Sequence, residues 1–299
     1  MRIVLAGASG FLGSRLRTSL AAEGHELVRL VRRPVTRPDE RRWDPFTGSL
    51  DAEILAGADA VVNLAGAGVG DKRWTDTYKQ VLADSRIRPT STLASVLASL
   101  PAERRPRLLL NASAVGFYGD TGDAAVDESS PAGGGFLADL CQAWEGATAR
   151  AREAGVRVVL LRTGLVLDAN GGLLRPLTLA TRLYLGGPLA GGRQWMPWIA
   201  IADWIRAVHF LMAHEEISGP VNLVGPHPVR NRDFARALGR ALHRPAPWPV
   251  PRVALRLVLG EFANEAVASQ RVLPGVLTKA GFTFQHSDLD SALRAAFAR

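Results

Sequence analysis

Cysteine is almost missing from this 299-residue chain: Cys141 stands alone, which excludes an intramolecular disulfide and any zinc cluster built on cysteines. Such usage fits a reducing compartment, and a cytoplasmic protein is expected. Lysine is scarce too, present only at positions 72, 79 and 279, so arginine carries most of the positive charge behind the formal net +8. The arginines alternate with apolar residues along helix-like segments without forming one basic run, and no nucleic-acid-binding module accompanies them. Nucleic acid is therefore not an expected partner. No uncharged apolar stretch reaches membrane-spanning length, and the first residues lack the charged flank, apolar core and cleavage site of a signal peptide; no membrane partner is expected. The histidines, at 25, 209, 214, 227, 243 and 286, show no ligand spacing, so no metal is expected.

What is present is ordinary for a folded protein: 47% hydrophobic and 21% charged residues, in a chain long enough for one large α/β domain or two smaller ones. Short apolar runs of strand length recur at Arg2–Ala6, Glu26–Val31, Asp59–Leu64, Arg107–Ala112 and Val156–Leu161. Helix-spaced segments separate them: Phe11–Ala22, Thr75–Leu100 with an interruption near Pro89, and Phe136–Ala154. Five or six such repeats predict a doubly wound parallel sheet covered on both faces, a Rossmann architecture, over residues 1–165. Beyond Gly164 the texture turns rich in Gly and Pro, which predicts a smaller irregular region, 166–299, placed to cover a substrate at the carboxyl ends of the strands. No repeat or low-complexity linker separates the halves, so they are expected to pack as one body.

The first strand runs straight into Gly7-Ala-Ser-Gly10-Phe-Leu-Gly13 and then a helix. A pyrophosphate must be met by backbone N–H groups, and Cβ atoms at the turn would hold the backbone away from it. Gly7 permits the tight turn, Gly10 the close approach and Gly13 the packing of helix on strand, which is the dinucleotide fingerprint in its required context. At the end of the second strand an NAD-specific protein places a carboxylate for the ribose hydroxyls. Here Arg32 and Arg33 stand there instead, and a guanidinium suits a 2′-phosphate, so NADP(H) is the expected cofactor.

With these residues in place the chain resembles the extended short-chain dehydrogenases, and more closely the atypical YfcH-like "epimerase family" proteins. The resemblance rests on the glycine fingerprint, Asn63-Leu-Ala-Gly66, Lys72-Arg-Trp74, Ser85-Arg86, Ser113-Ala-Val-Gly-Phe-Tyr-Gly119, Trp144-Glu145 and Gln194-Trp-Met-Pro-Trp198. The tail, about 248–297, resembles that family's own C-terminal domain of unknown function. By this resemblance cofactor contacts fall on Ser9, Gly10, Phe11, Leu12, Arg32, Leu64, Ala65, the adjoining Gly66, and Arg86, with Ser113 beside the nicotinamide. It also implies that Trp195 and Trp198 sit in a loop over the substrate cleft, where they either wall the ligand or pack in the core.

Ordinary members of the superfamily use a Tyr to protonate the substrate oxygen, a Lys four residues later to lower that Tyr's pKa, and a Ser or Thr to orient the substrate. Ser113 fits the last role. Anchored on Glu145, the Tyr position holds Leu137 and the Lys position holds Cys141, so both groups are missing. The nearest remaining donors are Ser113 itself and Tyr118, which serves either as an acid or as a packing residue. Cys141 reads as a small structural hydrophobe. In the strand after the tryptophans Ala200 stands where many relatives have His. The expected activity is NADP(H)-dependent oxidation, reduction or epimerisation of a small-molecule substrate by a monomer or homodimer. The alternative is a non-catalytic NADP(H)-binding regulator, because relatives of this type include SulA-like cell-division proteins.

Overall fold

The computed structural model describes residues 1–245 and 248–298; Ala246, Pro247 and Arg299 of the expected second region lie outside the described residues. The first half runs β1 (Arg2–Ala6), α1 (Phe11–Ala22), β2 (Glu26–Val31), β3 (Glu40–Arg42), α2 (Ala52–Leu55), β4 (Ala60–Asn63), α3 (Asp76–Ser99), β5 (Leu108–Ala114), β6 (Ala125–Val126), α4 (Phe136–Gly146), α5 (Ala149–Glu153) and β7 (Arg157–Thr163). The second half adds β8 (Leu165–Leu167), α6 (Leu174–Arg182), β9 (Trp195–Met196), β10 (Trp198–Ala200), α7 (Ile201–Ala213), β11 (Gly219–Leu223), β12 (Val229–Arg230), α8 (Asn231–Ala241), α9 (Arg252–Leu259), α10 (Phe262–Ala266), β13 (Arg271–Val272), α11 (Gly275–Lys279) and α12 (Leu289–Phe297).

Seven strands form one parallel sheet in the order β11-β7-β5-β4-β1-β2-β3. The chain leaves β1 towards β2 on one side and returns to β4 on the other, so the switch point lies between the carboxyl ends of β1 and β4, where such sheets bind ligands. Strand alternation sends Ile3, Leu5, Val62, Leu110 and Leu161 to one face, against Leu16, Leu20, Trp204 and Leu277. It sends Val4, Val61, Leu109 and Leu160 to the other, against Leu93 and Leu97 of α3. Burial on both faces is why these strands read as nearly unbroken apolar runs.

The seventh strand, β11, and the helices α7 and α11 come from beyond residue 165, yet they complete the first domain's sheet and core. Three element boundaries differ from the sequence expectation. Helix α3 continues through Pro89, which is buried; one backbone hydrogen bond is lost there, and packing of Leu82, Leu93 and Leu97 on either side holds the helix together. The expected helix 136–154 is two helices, separated at Ala147 and Thr148. Strand β5 extends to Ala114, so Ser113 lies within the sheet.

Candidate cofactor and active site

Gly7 adopts φ +79°, and a Cβ on it would stand 2.5 Å from the Leu64 carbonyl carbon, so the turn after β1 touches the loop after β4. A Cβ on Gly13 would lie 2.1 Å from the Gly7 carbonyl oxygen, which is how α1 seats on its strand. Around Gly10 the only atom that a Cβ would meet within 4 Å is the Gly7 oxygen, at 3.3 Å; the outer side of the loop is open. Gly10 is also the N-cap of α1 and supplies no side-chain cap, and the first turn holds no acidic residue. The amides of Phe11, Leu12 and Gly13 are therefore left for an anion at the positive end of the helix, the fit a pyrophosphate needs. Ser9 is exposed on the same turn. The Phe11 ring lies against the Gly171-Gly172 backbone, and Arg15 pairs with the buried Asp168 at 2.8 Å, so the second region is fastened directly to the phosphate loop.

The two arginines after β2 separate in the structure. Arg33 forks onto Glu40, Nη2 to Oε1 at 2.6 Å and Nη1 to Oε2 at 2.9 Å, and also bonds Pro34 O and Thr36 Oγ1. Glu40 is fully buried, and the Arg33 hydrogen bonds, followed by the Thr36 amide, hold its carboxyl at about 2. Arg33, expected to bind cofactor, is thus committed to a structural carboxylate. Arg32 is exposed and meets no carboxylate within ion-pairing distance among the described residues.

Leu64 and Ala65 follow β4, with Leu64 N–H bonded to Ala6 O and Ala65 N–H to Asn63 Oδ1. Gly66 is exposed and faces Arg86, whose Cγ and Cζ would lie 3.4 Å from a Cβ there. The Arg86 guanidinium donates to Leu82 O and Ala67 O and lies over the Trp144 ring at 5.2 Å. Burial lowers its pKa, and no carboxylate pairs with it among the described residues. A cation with unspent charge thus stands beside the loop expected to hold the cofactor.

Ser113, Arg162 and Asn222 are register partners across β5, β7 and β11, and so lie side by side on one sheet face. Two bridges join them. Glu145 of α4 accepts from Ser113 Oγ at 2.6 Å and takes both arms of Arg162 at 2.8 Å. Tyr118 accepts from Arg162 Nη1 at 3.0 Å and donates its only hydroxyl proton to Asn222 Oδ1 at 2.8 Å. The Arg162 guanidinium also stacks 3.4 Å over the Phe117 ring. All five hydrogen-bonded residues are buried, and burial raises the Tyr118 pKa above its ordinary 10.0. Tyr118, the other expected donor, is therefore enclosed in the network with its proton on Asn222, as the Ser113 proton lies on Glu145; the two differ in that Ser113 faces a carboxylate. One strand over, Asn63, Asn111 and Thr90 form a second buried polar group at 2.7 to 3.2 Å, capped by the Trp144 indole N–H.

In the sequence Glu145 is a resemblance residue and alignment anchor without a chemical role, and neither Arg162 nor Asn222 belongs to any motif. A signal for them exists: Asn63, Asn111, Arg162 and Asn222 each interrupt an otherwise apolar strand. Leu137, at the expected Tyr position, packs among Trp74, Leu82 and Leu140. Cys141 is buried with its thiol pushed up to about 11, mainly by burial, and is inert at neutral pH.

The tryptophans part company. Trp198 is 1% exposed, bonds His227 O through Nε1 and packs with Phe234 and Leu293, so it is a core residue and no cleft wall. Trp195 is half-buried, lies between Arg230 at 4.1 Å and Arg271 at 4.9 Å, and donates to Asp123. Beside it opens a cleft of about 630 Å³ lined in part by Asp120, Asp123, Arg193 and Arg230. The expectation of no histidine cluster needs one correction: His25, His209 and Glu23 meet where α1 ends against α7. There His209 Nδ1 lies 3.0 Å from Glu23 and its Nε2 3.0 Å from Ser19 Oγ. Distance in sequence hid this.

A parallel sheet with a bare glycine turn at its switch point, an uncapped helix start behind it and a serine at the end of the next strand but one define a nicotinamide-dinucleotide-binding Rossmann protein of the short-chain dehydrogenase type. The sequence matches the NAD dependent epimerase/dehydratase family over residues 3–225, and a domain of unknown function, DUF1731, over residues 250–296. The chain belongs to that epimerase/dehydratase family. Epimerase family protein MT2273 of Mycobacterium tuberculosis is 46% identical over 298 residues, covering 99% of this chain and 98% of the relative. The crystal structure of human epimerase family protein SDR39U1 (isoform2) with NADPH superposes with a TM-score of 0.90 at 31% identity, over 99% of both chains. The nucleoside-diphosphate sugar epimerase of Corynebacterium glutamicum gives a TM-score of 0.81 at 35% identity, over 98% of this chain and 57% of that one. Among the described residues no helix is long and apolar enough to cross a membrane.

Proposed function

We propose that the protein is an NADP(H)-dependent oxidoreductase or epimerase of small molecules in which Ser113, backed by Glu145, handles the proton that Tyr and Lys handle elsewhere in the superfamily. The observation that carries this reading is the buried Ser113–Glu145–Arg162 chain. A nicotinamide, when bound, supplies the hydride acceptor or donor. In the oxidative direction a substrate hydroxyl gives its proton to Ser113 Oγ as the serine proton passes to Glu145; reduction reverses both transfers. Arg162 fixes the carboxylate and balances its charge. A carboxylate is a weak base at neutral pH, so turnover is expected to be slow beside that of Tyr–Lys members.

Preference for NADP(H) is supported by the unpaired Arg32 and by the NADPH in the human relative's structure. Arg33 is left to brace the turn. The arginines around Trp195, and the Corynebacterium relative's description, make a nucleotide sugar the first substrate class to try. The test is NADPH oxidation and NADP reduction across a panel of carbonyls, imines and nucleotide sugars. Ser113→Ala is expected to lose about 100-fold or more in turnover with NADPH affinity unchanged. Inertness of the native chain across the panel, or full activity in Ser113→Ala, overturns the proposal. Inertness combined with a protein partner captured only in the presence of NADP(H) would favour a regulator.

A further inference from the structure

Two stretches, 171–202 and 234–260, contain no aspartate or glutamate, yet hold three and five arginines respectively. The same stretches hold most of the exposed large apolar side chains of the described residues. Leu185, Trp248, Val253 and Leu257 are each 69 to 72% exposed, and Leu179, Leu183 and Tyr184 at least half so.

The structure brings the two stretches together. The segment before Gly191 runs parallel to that around Val250, Ala190 N–H bonding Val250 O and Val250 N–H bonding Pro188 O. Arg244 lies over the Tyr184 ring at 5.6 Å. Arg236, Arg240, His243 and Arg244 line an open basin of about 920 Å³ beside Pro188. On α9, Val253 and Leu257 stand one turn apart on the exposed face, and Arg252 and Arg256 meet no carboxylate among the described residues.

We infer that this face docks on an anionic membrane surface. Charge decides between occupants. A two-fold contact with a second copy would set the same arginine-rich face against itself, with Asp233 and Asp290 already paired to Arg236 and Arg240, and like charges across an interface are costly. An anionic leaflet neutralises the arginines, whose long stems reach its headgroups while the protruding Leu, Val and Trp tips enter the acyl boundary. Span length does not reveal such a surface, because docking of this kind does not cross the bilayer. The docked face adjoins the Trp195 cleft through Arg193 and the 188–191 segment.

Vesicle flotation of the 299-residue, NADPH-loaded chain tests this, using phosphatidylcholine alone and phosphatidylcholine with about one-third phosphatidylglycerol. Binding is expected only to the anionic vesicles and to fall as salt rises. Arg244→Glu and Arg256→Glu are each expected to weaken it by about fivefold or more. Leu185→Ser with Leu257→Ser should weaken it at least as much, because apolar insertion is lost. These positions lie outside the cofactor loops, so unchanged NADPH affinity certifies folding in each variant. Equal binding to both vesicle types, or unaltered binding by the variants, overturns the inference. So does light scattering that shows a dimer which the leucine variant dissociates, or polyglutamate binding as tight as vesicle binding and indifferent to the leucines.

Discussion

Glu40 shows what a buried carboxylate held by arginines does to acid stability: the half-exposed Arg33 forks onto it, and Arg29 lies 3.2 Å away. The Glu40 carboxyl is held at about 2 against an ordinary 4.5, so the folded state keeps it ionised where the unfolded chain would protonate it. The stabilisation is fully present above 4.5, declines as pH falls through 4.5 towards 2, and is gone below that. The difference in Tm between the native chain and Glu40→Gln is therefore expected to be constant above about pH 5 and to shrink as pH falls towards 2. Thermal melts across that range check it. The neighbouring arginines should behave oppositely in binding. Arg32→Ala is expected to weaken NADPH by about 10- to 100-fold while sparing NADH, the loss of about 1.5–3 kcal/mol for hydrogen bonds to a charged phosphate. Arg33→Ala should mainly lower Tm. Calorimetry with both cofactors separates the two.

Helix α1 is positioned by contacts that no other residue type allows. With the Gly7 oxygen 2.1 Å from where a Cβ would sit, Gly13→Ala must push the helix off β1. A loss of about 1–3 kcal/mol in urea denaturation is expected, with weakened NADPH binding because the helix amides shift together. At the same scale, Glu145→Gln leaves Arg162 buried without its counter-charge, and a cost of about 3–5 kcal/mol is expected. Ser113→Ala removes only one hydrogen bond from the same row and should cost about 1 kcal/mol, which makes it the cleaner probe of chemistry. Element type was legible in the sequence because apolar period separates strand from helix. The ends were less so: Pro89 misled because tertiary packing outweighed one lost hydrogen bond, and α4 and α5 ran together because a lone glycine such as Gly146 is tolerated inside a helical pattern and does not by itself mark an end.

The whole molecule shares one core across its halves. Leu161 of β7, Trp204 of α7, Val221 of β11 and Leu277 of α11 pack in a single cluster, and Arg15 ties to Asp168. Thermal unfolding is therefore expected as one cooperative transition with matching calorimetric and van't Hoff enthalpies. Two resolved transitions in scanning calorimetry would show the halves to be independent.

The phosphate loop was readable from residue order alone, because a strand, a glycine turn and a helix start are neighbours in the chain and their chemistry is that of the backbone. That Leu137 and Cys141 stand at the Tyr and Lys positions was readable only through the resemblance to the family, aligned on Glu145. Which arginine remains unpaired, which tryptophan borders the cleft, and that Ser113, Glu145, Arg162, Tyr118 and Asn222 form one network were settled only by folding. Those side chains come from segments far apart in the sequence, and their roles depend on strand register and burial, which no local pattern encodes.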